Sequence, residues 1–400
     1  MISAKTNWLA SGPDHRLAEF RPRAKRVVAS LALTAAGVIV ALAIAEAGTR
    51  LFFIPIRGVP WHHYDPRYAI RYRENIDVMR NDCGDGIPWH FRTNPRGFAG
   101  QEWNSIPDAG SWRLIVAGDS FTAGNGVDDG DAYPDVAERI LRASGLRVEV
   151  INLGVSGWGP SNALGYLSTE GADIRASCLI YGFFLGNDVA DNVRYGLYSI
   201  RNGKLARTAT TQPPGVNISG ILWIQRVMRS IPLYDFLITH SELFNILRKV
   251  VTGVAARQSI AAAADSMSAA NFSRALDLND ATLDALADLA KRRFGGFGII
   301  LIPMKEELTG GRGALYSVER AEQSRERVRL WGRERHVFVL DLTEEFPRGH
   351  SADALYFSRD FHWSSAGQKL AGRLLAVNVR KLCALVQVGM YGSPAHFPFP

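Results

Sequence analysis

The chain has 400 residues, of which 47% are hydrophobic and 21% charged, values typical of a globular protein with one large or two small domains. Its formal net charge of +7 does not indicate a nucleic-acid partner, because Lys and Arg are spread along the sequence and form no single basic stripe. The three cysteines, Cys83, Cys178 and Cys383, lie too far apart for the ligand spacing of a zinc site, and we expect no bound metal. They allow one disulfide without indicating which pair forms it.

The first predicted element is a membrane span. Residues 1–26 form a polar, basic tail that we expect in the cytoplasm, and an uncharged run follows, so we predict a transmembrane helix over 27–47. At about 1.5 Å per residue this run is just long enough to cross a hydrocarbon core of about 30 Å. More basic residues precede the span than follow it, which predicts a periplasmic or otherwise extracytoplasmic domain held at the inner membrane. A cleaved signal peptide is the alternative, because Ala43-Ile44-Ala45 fits a small-x-small cleavage site.

Residues 48–111 have a different character. They are rich in aromatic residues, Pro and Gly, and they show no sustained helical or strand period. We therefore expect a connecting segment that packs on the domain after it.

The next stretch carries the first chemical motif. The short apolar run Leu114 to Ala117 predicts a buried strand that ends at Gly118. Ser120 then lies just beyond the carboxyl end of this strand, where open α/β sheets collect catalytic groups, so it is placed as a nucleophile. The glycines that follow match neither a phosphate-binding nor a dinucleotide-binding loop, and Phe121-Thr122 breaks the Gly-x-Ser-x-Gly elbow of α/β-hydrolases. No motif here predicts a cofactor.

Strands and helices alternate from this point onward. Such alternation predicts a parallel sheet with helices on both faces, joined by right-handed crossovers. The predicted strands are 114–117, 147–152, 177–184, 298–302 and 337–342, and the clearest helices are 133–143 and 317–332.

Residues 195–292 interrupt the alternation. Trp223, Phe236 and Phe244 recur at roughly helical spacing within 221–251, and 255–291 is rich in alanine, so we predict a helical insertion. Its apolar stripe is compatible with a lid, a membrane-surface element or plain packing on the sheet.

An aspartate and a histidine near the end complete the chemical groups. Asp360 and His362 lie two residues apart, just before a helix that Ser364 or Ser365 can cap. Together with Ser120, a glycine-rich turn after the second strand and an asparagine after the third, they are the groups that acyl transfer needs.

In these blocks the chain resembles the SGNH, or GDSL-like, hydrolase superfamily over about residues 113–377. The resemblance implies a flavodoxin-like three-layer α/β/α sandwich, which we place at 112–385, followed by a tail at 386–400. The four matching blocks are Gly118-Asp119-Ser120, Asn152-Leu-Gly-Val-Ser-Gly157, Leu185-Gly-Asn-Asp188 and Asp360-Phe-His362.

The resemblance also implies residue roles. Ser120 would be the nucleophile, His362 the base and Asp360 the acid that orients it, while Ser120, Gly157 and Asn187 would form the oxyanion hole. Most members place the triad aspartate three residues before the histidine, where this chain has Arg359. Two aspartates after the third strand, Asp188 and Asp191, are therefore the alternatives to Asp360.

The Asp-x-His-Trp form of the last block resembles a branch that includes bacterial envelope polysaccharide O-acetyltransferases. We hypothesise a membrane-tethered serine esterase or O-acyltransferase, most simply for acetyl groups, acting on an envelope glycan or another acylated substrate. A lipid esterase or lysophospholipase at the membrane surface, and a non-catalytic envelope scaffold that keeps the fold, are the alternatives.

Overall fold

A long helix opens the part of the chain that the structure describes. The computed structural model describes residues 14–52, 62–81, 83–208, 233–248, 268–311, 317–349 and 351–383. Helix α1 (Asp14–Phe52) contains the apolar run Arg26–Leu51, with a mean hydropathy of 2.6. By length and composition this run can cross a membrane, and a signal sequence would have the same properties. The predicted apolar helix is present as part of one continuous helix.

The connecting segment contains two small antiparallel strand pairs, although its sequence shows no strand period. Each pair is only four residues long, so alternation has little room to appear. The first pair joins β1 (His62–Asp65) to β2 (Ala69–Tyr72), and the second joins β3 (Asp77–Arg80) to β4 (Trp89–Arg92).

Aromatic side chains fasten the connecting segment to the domain. Phe98 is fully buried, and its ring centroid lies 4.8 Å from that of Tyr166 and 5.8 Å from that of Trp158. The indole N–H of Trp158 donates a hydrogen bond to the carbonyl of Ile70 at 2.5 Å. The segment is thus part of the same packed unit.

A five-stranded parallel sheet forms the centre of the domain. The strands after β4 are β5 (Trp112–Gly118), β6 (Val148–Gly154), β7 (Cys178–Phe184), β8 (Tyr198–Arg201), β9 (Lys204–Arg207), β10 (Phe297–Ile302) and β11 (Phe338–Asp341). The central sheet has the order β11-β10-β7-β5-β6, which is the flavodoxin-like order 2-1-3-4-5 when its five strands are counted along the chain. This confirms the predicted fold, and it puts the topological switch point between β5 and β7.

Helices cover both faces of the sheet. The helices after α1 are α2 (Ser120–Ala123), α3 (Tyr133–Ala143), α4 (Pro160–Leu167), α5 (Asp188–Arg194), α6 (Tyr234–His240), α7 (Ala269–Arg293), α8 (Lys305–Thr309), α9 (Val318–Arg335), α10 (Leu342–Glu345), α11 (Ala352–Leu355) and α12 (Ser365–Leu382). Residues 242–248 are also helical.

Two neighbouring residues of β10 show how the layers are divided. The ring of Phe297 packs against Trp331 of α9, with centroids 6.3 Å apart. A side chain at Gly298 would instead meet the carbonyl oxygen of Leu382 in α12, at 2.2 Å. Because successive strand residues point to opposite faces, α9 and α12 lie on opposite sides of the sheet. Helix α3 packs on α12, while α4, α5 and α9 pack around α7.

The segment 195–292 differs from its prediction at its beginning. Strands β8 and β9 form an antiparallel hairpin there, and its two turn residues, Asn202 and Gly203, have φ of 51° and 71°. Asn-Gly is the preferred sequence for such a turn because both positions need positive φ. The end of the segment, α7, crosses from β7 to β10 with its apolar side buried. Residues 209–232 and 249–267, which include Trp223, lie outside the described residues.

A disulfide joins Cys178, the first residue of β7, to Cys383, the residue after α12. The Cα atoms are 5.5 Å apart, although 205 positions separate the two residues in sequence. The bond ties the last helix to the central strand, and Cys83 lies outside this disulfide.

Candidate active site

Ser120 lies two residues beyond the end of β5, the strand next to the switch point. Asp119 caps helix α2, its side chain accepting a hydrogen bond from the N–H of Phe121 at 2.9 Å. Ser120 is the first residue of that helix, so its N–H has no partner within the helix. The side chain is only 6% exposed, at the bottom of the site.

Two glycines, Gly118 and Gly154, allow α2 to pack closely against the sheet. A Cβ at Gly118 would fall 2.3 Å from Thr122 Oγ1 and 2.7 Å from the carbonyl oxygen of Gly182. A Cβ at Gly154 would fall 2.2 Å from the backbone nitrogen of Ala123. Any larger residue at either position would push the nucleophile away from the strand ends.

The structure brings Ser120, His362 and Asp360 into one hydrogen-bonded chain. His362 Nε2 lies 2.8 Å from Ser120 Oγ, and His362 Nδ1 lies 2.5 Å from Asp360 Oδ1. The same carboxylate oxygen accepts the backbone N–H of His362 at 2.9 Å. A triad can therefore form with only two residues of spacing between Asp360 and His362. The loop folds the Asp360 carboxylate back toward both the backbone N–H and Nδ1 of His362.

Asp188 and Asp191 do not take the place of Asp360. Asp188 accepts a hydrogen bond from the hydroxyl of Tyr181 at 3.1 Å, and Asp191 pairs with Arg194 at 2.9 Å. Among the aspartates compared, Asp360 is the one that contacts the imidazole.

A second donor holds the Asp360 carboxylate. The backbone N–H of Gly84 donates to Asp360 Oδ2 at 3.1 Å. Burial opposes ionisation of Asp360, but the hydrogen bonds and charge of His362 and the N–H of Gly84 outweigh it and hold the pKa below its usual range. The ionised carboxylate fixes the imidazole tautomer with its proton on Nδ1, leaving Nε2 free to accept the serine proton.

The loop that carries Gly84 is bound to the loop that carries the histidine. Asp85 accepts hydrogen bonds from the N–H of Ser358 at 2.7 Å, the hydroxyl of Ser358 at 2.8 Å and the N–H of Arg359 at 2.5 Å. The sequence pattern did not predict that this part of the connecting segment belongs to the site. Nothing in the residue types of 83–86 pairs them with residues more than 270 positions away.

Aromatic rings enclose the imidazole. The ring centroid of His362 lies 5.2 Å from that of Phe121 and 4.2 Å from that of Phe361, and Phe361 stacks on Phe184 at an interplanar angle of 12°. Trp363 is fully buried beneath them, 5.0 Å from the ring of Phe121. These contacts restrict the rotation of His362 and keep water from its sides.

Gln368 of α12 links the part of the chain that carries Asp360 and His362 to the part that carries Ser120. Its side-chain amide donates to the carbonyl of Phe121 at 3.1 Å and accepts the N–H of Tyr133 at 2.8 Å. The side chain is fully buried. The distance between nucleophile and base therefore depends on the protein interior as well as on the two loops.

The predicted oxyanion residues lie beyond the ends of neighbouring strands. Gly118 of β5 is in register with Gly154 of β6 and with Gly182 of β7. Gly157 therefore follows the strand on one side of Ser120, and Asn187 follows the strand on the other, at the same edge of the sheet. Gly157 has φ of +77°, which favours glycine.

Asn187 and Gly157 differ in how they are held. Asn187 directly precedes α5, and within the described residues its buried Oδ1 has no hydrogen-bond partner. The turn before Gly157 is fixed by Tyr72, whose hydroxyl accepts the N–H of Ser156 at 2.9 Å and lies 2.7 Å from Ser156 Oγ. Asn125 also donates to Ser156 Oγ, at 2.9 Å. The connecting segment thus supports this edge of the site too.

Three fully buried aspartates lie beneath the site. Burial raises the pKa of Asp119 to about 7, with a smaller contribution from the charge of Asp191, while the N–H of Phe121 opposes the rise. Burial raises the pKa of Asp191 to about 6, although Arg194 opposes the rise. For Asp188, burial and the charges of Asp119 and Asp191 raise the pKa well above its usual range. These groups hold protons at pH values where ordinary carboxyls are ionised.

The chain matches a known protein family. The model of the GDSL-like lipase/acylhydrolase family matches residues 116–370, which is more than half of the chain. The chain belongs to the GDSL-like lipase/acylhydrolase family. The match confirms the SGNH resemblance drawn from the four blocks, and it begins after α1 and the connecting segment.

Several solved structures align with the chain at low identity. The lipase/acylhydrolase from Enterococcus faecalis is 15% identical, with a TM-score of 0.37, covering 67% of this chain and 95% of its own. The acetyl xylan esterase AlAXEase is 12% identical, with a TM-score of 0.39, covering 67% and 99%. The psychrotrophic esterase EstA from Pseudoalteromonas sp. is 10% identical, with a TM-score of 0.37, covering 67% and 97%. No curated protein matches the chain.

Proposed function

We propose that this acylhydrolase-family protein is a serine ester hydrolase that works through an acyl-enzyme. The observation that carries the proposal is the hydrogen-bonded chain from Ser120 Oγ through His362 to Asp360, with distances of 2.8 and 2.5 Å. Such a chain supplies an activated nucleophile, a base and a group that orients the base.

The geometry supports the following sequence of steps. Ser120 Oγ attacks the ester carbonyl as its proton passes to His362 Nε2, and Asp360 stabilises the imidazolium that forms. The N–H groups of Ser120 and Gly157 and the side-chain amide of Asn187 donate to the developing oxyanion. His362 then protonates the departing alcohol oxygen, which leaves the acyl group on Ser120. A water molecule deprotonated by His362 attacks this acyl-enzyme, releases the acid and restores the serine.

Active-site labelling tests this proposal against a non-catalytic scaffold. The full-length protein in detergent is treated with a fluorophosphonate probe, and the modified peptide is mapped by mass spectrometry. We expect the label on Ser120, no label in Ser120→Ala, and normal labelling in Ser168→Ala, which alters an exposed serine at the end of α4. An unlabelled wild type, or a label on another residue, contradicts the proposal.

We also propose that α1 anchors the domain at the outer side of the inner membrane. The run Arg26–Leu51 can span a bilayer, and the basic residues before it favour a cytoplasmic N-terminus. The Cys178–Cys383 disulfide supports an oxidising, extracytoplasmic location. N-terminal sequencing of the mature protein tests the anchor against a cleaved signal peptide, since cleavage after Ala45 would remove most of α1. Labelling of an introduced N-terminal cysteine in intact cells and in lysed cells tests its orientation.

For the substrate, we propose an acylated envelope glycan, with acetyl as the acyl group. The proposal is supported by the sequence of the last block, Asp360-Phe-His-Trp363, which resembles that of envelope O-acetyltransferases. Transfer to a sugar hydroxyl shares the acyl-enzyme with hydrolysis and differs only in the acceptor. Measuring acetate release and acetylated product, with and without candidate glycan acceptors, distinguishes the two. A transferase forms product at the expense of acetate, and a hydrolase releases acetate alone.

A lipid ester is a second candidate substrate because of the contact between α1 and the insertion. Glu46 accepts hydrogen bonds from the hydroxyl of Ser241 and from the N–H groups of Glu242 and Leu243, at 2.8, 2.9 and 3.1 Å. Arg50 donates to the carbonyl of His240 at 2.6 Å. The insertion is therefore held at the end of the candidate anchor, where exposed apolar side chains can meet the membrane surface.

A further inference from the structure

The remaining thiol of the chain lies beside the triad. Cys83 Sγ, a carboxylate oxygen of Asp360 and a ring nitrogen of His362 all lie within 4.8 Å of one another. The sequence contains three cysteines, and Cys178 and Cys383 form the disulfide, so Cys83 is the cysteine that keeps its thiol group. It is partly exposed, which leaves it open to ions from solvent.

The loop places Cys83 firmly. Its neighbour Gly84 donates its N–H to Asp360, and a Cβ at Gly84 would fall 3.1 Å from the carbonyl oxygen of Gly126 and 3.2 Å from the ring of Phe357. The loop is therefore packed closely between the turn after α2 and the loop of the last block. The three side chains come from two segments that are held together, so their proximity does not depend on a mobile terminus.

Thiolate, imidazole and carboxylate are the ligands that zinc uses in proteins. Zinc–sulfur bonds are about 2.3 Å and zinc–nitrogen bonds about 2.0–2.1 Å, so tetrahedral ligand atoms lie about 3–4 Å apart. Small side-chain rotations bring three atoms that are within 4.8 Å of one another to that spacing. Three protein ligands leave a fourth position for water, as in open zinc sites.

We propose that Cys83, Asp360 and His362 form an inhibitory site for a thiophilic divalent cation, chiefly Zn²⁺. On binding, the Cys83 thiol releases its proton to solvent, and Asp360 exchanges its contact with the imidazole for the metal. His362 binds through Nδ1, which faces Asp360, and its proton moves to Nε2. The imidazole then presents an N–H to Ser120 Oγ and cannot accept the serine proton. This inhibitory effect rests on the proposed esterase function, while metal binding does not.

Cobalt spectroscopy tests the site without depending on activity. Co²⁺ is added to the full-length protein in detergent under argon, without added thiol, so that the disulfide stays intact. We expect a thiolate-to-cobalt absorption band in the wild type and in Ser120→Ala, which keeps all three ligands. The band should be absent from both Cys83→Ser, the nearly isosteric variant, and Cys83→Ala. A wild type without the band, or a Cys83→Ser variant that keeps it, overturns the proposal.

Zinc titration of ester hydrolysis tests the effect. Zn²⁺ should inhibit the wild type, and a chelator should restore activity. Cys83→Ser should retain basal activity and need at least about tenfold more Zn²⁺ for the same inhibition, because a lost partner of a metal site typically costs 10–100-fold in affinity. Equal zinc sensitivity in the two proteins overturns the inhibitory site. Cobalt binding by a protein that hydrolyses no ester would refute the proposed function and leave the metal site supported.

Discussion

The backbone N–H of Gly84 donates a hydrogen bond to Asp360 Oδ2 across 276 positions of sequence, at 3.1 Å. The connecting segment between the candidate anchor and the sheet therefore contributes to the candidate triad. The family match begins only at residue 116, so this contribution lies outside the matched region. We therefore predict that this segment affects the proposed catalysis as well as joining the domain to α1.

Asp85 is predicted to be a positioning residue for the triad. It accepts three hydrogen bonds from Ser358 and Arg359, and Asp85→Ala should release the loop that holds Asp360 and His362. We expect kcat for a soluble ester to fall about tenfold or more with little change in KM, since small misplacements of catalytic groups are costly. Asp85→Asn keeps one acceptor and should recover part of the loss. Equal activity in all three proteins would rule out this role.

Asp360→Asn should lower kcat by about four orders of magnitude, the size of effect seen when a triad aspartate is replaced by its amide. The amide favours the wrong imidazole tautomer, with the proton on Nε2. Asp188→Asn is the matched control, because Asp188 was the alternative triad residue and its contact is with Tyr181. Asp188→Asn should lower kcat far less than Asp360→Asn does. Steady-state kinetics with one soluble ester measures both, and the reverse ranking would make Asp188 the triad acid.

Asn187→Ala tests the proposed oxyanion hole. Removing one donor typically lowers kcat by about 10²–10³, and KM should change little because the donor acts on charge that develops in the transition state. Labelling of Ser120 by a fluorophosphonate should become slower without being lost. A variant in which KM alone rises would show that Asn187 binds substrate in the ground state and does not stabilise the oxyanion.

Local patterns predicted the sheet and the position of the candidate catalytic groups. The apolar run ending at Gly118 and the Asp360-Phe-His362 block each mark the edge where parallel strands end, so Ser120 and His362 could be predicted to meet despite 242 positions between them. The hairpin at 198–207 also had a local signal, Asn202-Gly203, but the segment was predicted to be helical from the spacing of its aromatic residues.

Other features had no such signal in the sequence. The group of Gly84 that binds Asp360 is its backbone N–H, which every residue other than proline has. No residue type at this position therefore predicts the contact. Three cysteines allow three pairings, and only the spatial closeness of β7 and the end of α12 selects Cys178 with Cys383. The buried aspartates beneath the site look in sequence like ordinary turn and helix-start residues.

Those buried aspartates predict how stability depends on pH. Each pKa is raised by burial, so the folded protein holds protons that the unfolded chain, with aspartate pKa values near 4, has released. Stability should therefore fall as pH rises from about 5 to 7, by about 1.4 kcal/mol per pH unit for each proton held only in the folded state. Asp188→Asn keeps an acceptor for Tyr181 and removes one such group, so its melting temperature should fall less over this range.

Asp173 provides the control for this prediction. Its hydrogen bond from Arg96, opposed in part by burial, lowers its pKa to about 2, so it contributes stability that is complete above about pH 5 and is lost as pH falls toward 2. Asp173→Asn should lower the melting temperature by a constant amount between pH 5 and 7. The prediction for Asp188 is wrong if its variant has the same slope as the wild type in thermal unfolding followed by circular dichroism.

The contact between α1 and the insertion leads us to a final prediction, which concerns how a lipid substrate reaches the site. The insertion exposes Leu233, Phe236 and Leu247, at 72%, 56% and 55%, close to the contact that Glu46 makes with residues 241–243. If α1 spans the bilayer, these side chains lie at its surface, where transferring one large apolar side chain from water is worth about 1.5–3 kcal/mol.

Phe236→Ser should therefore lower hydrolysis of a long-chain lipid ester in proteoliposomes by about tenfold or more, since 1.4 kcal/mol corresponds to a factor of ten. Hydrolysis of a short, soluble ester by the same reconstituted protein should not change, because Phe236 takes no part in the proposed triad chemistry. Val377→Ser is the matched control: that side chain is 62% exposed on α12 and should affect neither substrate. Equal loss on both esters would show that Phe236 supports the fold, and no loss on either would exclude the insertion as a route for lipid substrates.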